Sequence, residues 1–172
     1  DITCTEQVCR AMDEVSPDVI INAAAYTAVD KAEAEEVTAK SVNEDGPRIL
    51  ARAASEHGSR LIHISTDFVF DGVSQKPWLT TDIPKPVSVY GRTKLAGERA
   101  IIDSSLDEWT IVRTAWLYDG DSPNFVSTML RLMKNREDIS VVSDQTGTPT
   151  LVDSLAVAVW CLADNHVSGI HH

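Results

Sequence analysis

Tyr90 and Lys94 stand four residues apart in the segment Tyr90-Gly-Arg-Thr-Lys94, a spacing that puts both side chains on one face if the segment is helical. A phenol titrates near 10 and is a poor proton donor or acceptor at neutral pH, but an ammonium beside it favours the phenolate and lowers that value. The pair can therefore act as a tuned acid-base. Thr66, at the end of an apolar run, supplies a neutral hydroxyl that can share a hydrogen bond to a carbonyl oxygen where negative charge develops. A Thr, Tyr and Lys set suits reduction of a carbonyl by a nicotinamide, hydride reaching the carbon while Tyr90 protonates the oxygen. Tyr-x-x-x-Lys alone is a common chance match, with an exposed helical pair as its plain alternative. Context lifts it: the hydroxyl closes a strand of the buried type, a loop precedes the Tyr-Lys helix, and the small residues before Tyr26 let a cofactor approach the backbone.

The elements that must bring these residues together are legible as alternating strands and helices. Residues 18–23, 60–65 and 109–114, with a short run at 139–142, are apolar without alternation, which predicts strands buried on both faces of a parallel sheet. A first helix is predicted from the capping-box spacing of Thr3 and Glu6, with Val8, Met12 and Val15 on one face and Ser16-Pro17 as the stop. Residues 28–57 read as helical but broken at Gly46-Pro47, with Ile49, Leu50, Ala53 and Ala54 as the buried stripe and Gly58 as the C-cap. Further helices are expected at 89–103, at 124–135 with Phe125, Met129, Leu132 and Met133 on one side, and at 152–163; residues 66–88 form a long functional loop. This alternation predicts an α/β fold, a doubly wound parallel sheet of Rossmann-like type with right-handed crossovers. Its ligands belong at the carboxyl ends of the strands, here Ala23 to Tyr26, Ser65-Thr66-Asp67 and Thr114-Ala115-Trp116.

Composition narrows the partners. The chain has 172 residues, 43% apolar and 24% charged, enough for a single globular core and unlike a disordered or fibrous protein. A net charge of −11 repels nucleic acid and anionic membranes. The longest nearly uninterrupted apolar stretch, Leu155 to Ala163, is far short of the roughly 18 residues a membrane helix needs, and no leader opens the chain; a soluble, cytoplasmic protein is expected. Cys4, Cys9 and Cys161 match neither a zinc knuckle nor a redox pair, and His166, His171 and His172 have no carboxylate or cysteine at ligand spacing, so no metal is assigned. His63, between two isoleucines, reads as a structural histidine, and Arg92 and Glu98 as a solvated face. The eight glycines include no G-x-G-x-x-G, so the chain is expected to be part of a longer protein.

Five ordered motifs carry a family resemblance: INAAAYTAVDKAE (21–33), VNEDGP (42–47), HISTDFVFDG (63–72), PVSVYGRTKLAGE (86–98) and DQTGTPT (144–150). Together they resemble the dTDP-4-dehydrorhamnose reductases, extended short-chain dehydrogenase/reductases that reduce the 4-keto group of a dTDP-4-dehydro-6-deoxy sugar with NADPH or NADH in dTDP-L-rhamnose synthesis. The resemblance implies that Tyr90 is the proton donor, that Lys94 holds the nicotinamide ribose and lowers the Tyr90 pKa, and that Thr66 tunes the carbonyl. It implies that Ala24, Ala25 and Tyr26 line the cofactor, that Asp67 and Trp116 contact the sugar nucleotide, and that Asn43 belongs to a supporting polar network. Each has a plainer competitor: Asp67 as a turn cap, Trp116 as core, Asn43 as a helix-break residue.

The resemblance further implies a dinucleotide-binding part at 1–146, the start of a substrate-binding part at 147–172, and a homodimer. It implies a sheet lacking its first βαβ unit, so these 172 residues alone are expected to bind dinucleotide poorly and to be inactive, and the residues that choose NADH or NADPH are expected before Asp1. Phe68 stands where sugar-nucleotide dehydratases carry Glu, which disfavours elimination because Asp67 then has no acidic partner. A sugar-nucleotide epimerase and a non-catalytic regulatory subunit of the same fold remain the alternatives; intact Thr66, Tyr90 and Lys94 favour an enzyme.

Overall fold

The structure is a computed structural model and describes residues 1–120 and 122–172. Four parallel strands make the sheet, in the order β1 (Val19–Asn22), β2 (Arg60–Thr66), β3 (Trp109–Thr114), β6 (Gly169–His171). A separate parallel pair joins β4 (Leu117–Tyr118) to β5 (Thr150–Leu151). Alternation along β2 separates two cores. Leu61 points to α1 (Thr5–Val15), α4 (Gly46–His57) and α5 (Val89–Ile102), where it packs with Val8, Met12, Leu50, Ala54 and Ile101. Ile62 and Ile64 point the other way, onto Val112 and the face of α7 (Val152–Asp164) formed by Leu155, Val159 and Leu162. Helices thus cover both faces, the doubly wound arrangement expected, and each fully buried Leu or Ile contributes roughly 1.5–3 kcal/mol to holding it. Among the described residues no helix is long and apolar enough to cross a membrane.

Local expectations fail where tertiary contacts intervene. Helix α1 has Cys4, not Thr3, at its N-cap, because the Thr3 hydroxyl is spent on Asp1 Oδ1 at 2.9 Å; Val15 is exposed and only Val8 and Met12 of its stripe are buried. The run at 28–57 divides early, into α2 (Val29–Ala32) and α3 (Glu36–Lys40), and then continues unbroken through a π-helical segment, Ser41–Asp45, into α4. Gly46-Pro47 is therefore no break: the π turn shifts the hydrogen-bond register just where proline lacks a donor, and Gly58 closes the helix in the left-handed region, φ 69°.

Residues 139–142 form no strand. The free edge of β3 is taken by β6, so this segment has no ladder to join, and Val141 and Val142 are exposed. The apolar side of α6 (Phe125–Asn135) likewise has no buried residue. Beyond 147, where a separate part was expected to start, α7 packs on the main sheet and β6 pairs with β3. Strand β1 is the sheet edge among the described residues, with Ile21 exposed.

Candidate active site

Thr66 is the last residue of β2, in register with Thr114 of β3. Its backbone is still extended, and its Oγ1 accepts the Phe68 N–H at 3.2 Å, starting a 3-10 turn over Asp67–Val69. The same hydroxyl bonds the half-buried Asp67 carboxyl at 3.2 Å, whose pKa burial raises and hydrogen bonds partly restrain. Helix α5 starts opposite this turn. Ser88 caps it by accepting the Gly91 N–H at 3.1 Å, and Glu33 of the α2–α3 turn accepts the Val89 N–H at 2.8 Å.

Two glycines let α5 come close enough. A Cβ on Gly91 would lie 2.2 Å from the Phe68 carbonyl oxygen, and one on Gly97 would lie 2.1 Å from that of Asn43. Both neighbours are backbone, so only glycine fits. The consequence is that Tyr90 is buried, its ring edge-on to Phe68 at 5.5 Å, and its hydroxyl is near enough to that of Thr66 to be influenced by it.

The electrostatics correct one expectation. Burial raises the Tyr90 pKa, the Thr66 hydroxyl works against it, and the Asp67 charge adds to it. Lys94 does not lower it, because its Nζ is turned to the sheet: it donates to the Ile64 carbonyl at 2.7 Å and stands 3.2 Å from His63 Nε2. Lys94 is 1% exposed; burial brings its pKa down to about 8 against the upward pull of Glu98. Tyr90 is thus a protonated phenol at neutral pH, an acid in waiting and not a phenolate.

Glu98 is the second correction. It is fully buried, not part of a solvated face, and holds Arg113 of β3 through two bonds, 3.0 Å to Nε and 2.6 Å to Nη2, while accepting the Ser65 hydroxyl. The signal was available, since Glu98 follows Lys94 by one more helical step of four on the same face. Arg113 also lies 5.2 Å above the ring of Phe70, which stacks on Trp78, so the loop after β2 is clamped to the sheet. Arg92 is exposed as expected. His63 is buried, and burial first, then Lys94, holds its pKa well below the usual value; its contact with Lys94 was not foreseen.

Asn43 is no helix-break residue. It is buried in the π segment, where its side chain accepts the Tyr26 N–H at 2.8 Å and donates to the Tyr26 carbonyl and to Thr93 Oγ1. Thr93 in turn bonds the Tyr90 carbonyl. The loop carrying Ala24, Ala25 and Tyr26 is thereby tied to the Tyr-Lys helix. Tyr26 packs beside Val89 and Tyr90, and its hydroxyl donates to Glu35 at 2.6 Å, which raises its pKa.

Trp116 is not core. It is 44% exposed with φ at 48°, its ring lying against Gly147, where a Cβ would meet it at 2.6 Å. Between these strand ends the Thr114 hydroxyl is buried without a hydrogen-bond partner among the described residues. The structure therefore unites Thr66, Asp67, Tyr90 and Lys94, links Ala24 to Tyr26 to them through Asn43, and sets Trp116 beyond the end of β3.

The family model described as the RmlD substrate binding domain matches residues 1–172, the whole chain. The chain belongs to this family. A dTDP-4-dehydrorhamnose reductase of Sinorhizobium fredii is 45% identical over 168 residues, covering 98% of this chain and 56% of that protein. The crystal structure of a dTDP-4-dehydrorhamnose reductase from Clostridium acetobutylicum superposes with a TM-score of 0.95 at 44% identity, covering 100% of this chain and 61% of that one. One from Bacillus anthracis, in complex with NADP, has a TM-score of 0.95 at 42% identity, again covering 100% and 61%. The resemblance carried by the five motifs thus holds along the whole chain, which spans about 60% of the length of these relatives.

Proposed function

We propose that this chain carries the catalytic part of an NAD(P)H-dependent reductase of the 4-keto group of a dTDP-4-dehydro-6-deoxy sugar, the reaction of dTDP-L-rhamnose synthesis. The observation that carries the reading is the union of Thr66 with a buried, protonated Tyr90 and Lys94 at the carboxyl end of β2. A phenol whose pKa is raised suits an acid that gives up its proton only to a strongly basic oxygen.

The residues present fit a nicotinamide cofactor. Ala23 and Ala24 are exposed and Ala25 half-buried at the end of β1, so their small side chains leave room for a ring against the backbone, and the unpartnered Thr114 hydroxyl faces the same strand ends. When bound, the nicotinamide supplies the hydride. As the family resemblance implies, Ala24, Ala25 and Tyr26 would line it and Lys94 would hold its ribose. Thr66 Oγ1 orients the substrate carbonyl, and Tyr90 would give its proton to that oxygen as the carbon takes up hydride, so the ketone gains a hydride at carbon and a proton at oxygen, two electrons and two protons in all, and leaves as an alcohol while Tyr90 is left as the phenolate. Asp67 and Trp116 contact the sugar nucleotide, and Asn43 positions the cofactor loop. The NADP bound to the Bacillus anthracis relative makes NADPH the first cofactor to try; the resemblance also supports a cytoplasmic homodimer.

The test is oxidation of NADPH or NADH by the full-length protein in the presence of dTDP-4-dehydrorhamnose. Turnover is expected, and Tyr90→Phe should lower kcat at least about 100-fold. No oxidation of either cofactor, or a Tyr90→Phe variant as fast as wild type, overturns the reading.

A further inference from the structure

Glu98 is fully buried and takes no part in the proposed reaction, yet its carboxylate reaches both elements that carry reacting side chains, β2 and α5. Tyr90, Lys94 and Glu98 follow one another at steps of four along α5. Ser65 and Arg113 are register partners in β2 and β3, so both side chains leave the sheet on the side that meets this helix. Oε1 of Glu98 accepts the Ser65 hydroxyl and the Nε–H of Arg113, the latter at 3.0 Å, and Oε2 accepts Nη2 of the same guanidinium at 2.6 Å. Ser65 precedes Thr66 and Arg113 precedes Thr114, so one carboxylate ties the ends of both strands to the Tyr-Lys helix.

Three donors converge on Glu98. A carboxylate accepts them all, whereas an amide would turn a donor of its own towards one of them. A buried ion pair often adds no net stability over apolar residues of similar size, so the use of this one lies in the distances it fixes.

Lys94 depends on the same charge. A buried ammonium is costly without an anion near it. Its Nζ donates to the Ile64 carbonyl at 2.7 Å and stands 3.2 Å from His63 Nε2, and neither group is an anion. Burial brings its pKa down to about 8 and Glu98 pulls it up, so Lys94 is an ammonium at neutral pH. We propose that Glu98 is a positioning residue that locks the ends of β2 and β3 to the Tyr-Lys helix and sustains the charge of Lys94. The inference rests on the proposed reductase reaction only for its consequence in turnover.

The other groups around Lys94 do not replace Glu98. Tyr90 is a protonated phenol, and His63 is buried and neutral. Asp67 lies in the 3-10 turn, where its charge acts on Tyr90, and Arg113 on β3 is paired with Glu98. Asn22 on β1 and Asn43 on the π segment are neutral, while Glu44 and Asp45 are bound by Arg48. The charged side chains of α2, α3 and α4 are exposed, as are Arg92 and Arg99 on α5.

The test uses the full-length protein labelled with 13C at lysine Cε and read by NMR, the Lys94 signal being assigned by its loss in Lys94→Met. In wild type it should titrate at about 8. Two variants remove the carboxylate: Glu98→Gln, and the apolar pair Glu98→Leu with Arg113→Met, which leaves neither charge buried alone. In each, the Lys94 midpoint should fall by at least about half a unit, a threefold change in its acid constant. With dTDP-4-dehydrorhamnose and NADPH, the apolar pair should also lose at least about tenfold in kcat while unfolding near the temperature of wild type, because the strand ends are no longer held.

A Lys94 midpoint unmoved in either folded variant, or an apolar pair that turns over as fast as wild type, overturns the inference. Should neither variant fold, wild type decides: a Lys94 midpoint below about 7 overturns it, because a sustaining anion would keep the ammonium at neutral pH. The titrations need no turnover, so a protein that oxidises no nicotinamide refutes the proposed reaction and still reports the charge of Lys94.

Discussion

Lys94 should make the folded protein less stable at neutral pH and progressively more stable in alkali. Its pKa falls from 10.5 in the open chain to about 8 in the fold, a difference equivalent to about 3 kcal/mol. Below 8 both states carry the charge and only the folded state bears the penalty of burying it. Between 8 and 10.5 the unfolded chain still holds a proton that the folded protein has released, so unfolding becomes harder as pH rises, by up to about 1.4 kcal/mol per unit. Above 10.5 neither state is charged and the full stability is present. Lys94→Met removes this titration while filling nearly the same volume.

Urea unfolding of wild type and Lys94→Met in parallel, from about pH 7 to about pH 10.5, gives the difference in unfolding free energy, from which the alkaline effects common to both proteins cancel. That difference should move towards wild type by about 3 kcal/mol across the range. A difference flat to within about 0.5 kcal/mol, or one moving towards the variant, would refute the claim that the lysine is held in a desolvated site. The absolute offset is not the test, since Met also removes the contacts of Lys94 Nζ with the Ile64 carbonyl and His63.

Two further outcomes test the scaffold. Glu98→Gln leaves Arg113 buried without its countercharge and should destabilise by about 3–5 kcal/mol; the apolar pair Glu98→Leu with Arg113→Met should recover most of it, and thermal unfolding of the three proteins checks both. Gly91→Ala forces the helix away from the Phe68 carbonyl and should destabilise by roughly 1–3 kcal/mol after overpacking outweighs the gain in helix propensity. It should also lower kcat by parting Tyr90 from Thr66; a variant as stable and as fast as wild type would show that the two backbones have room to spare.

The sequence by itself determined which residues sit at the strand ends. β2 and β3 are short apolar runs whose bounds follow from composition, the Tyr-Lys helix was legible between the long loop and the next strand, and together they dictate a parallel sheet with Thr66, Asp67 and Tyr90 at one end. These are local properties, set by side-chain period and by φ and ψ preferences. What only the tertiary structure decided is where the charges lie. Glu98 looks solvated until Arg113 from β3 meets it, Lys94 faces Tyr90 in spacing but contacts His63 in space, and residues 139–142, apolar as a strand would be, join no sheet while β6 holds the edge of β3. Each of these is a pairing between elements distant in the chain, and burial, which fixes the protonation of Tyr90, His63 and Lys94, exists only once those elements have closed around them.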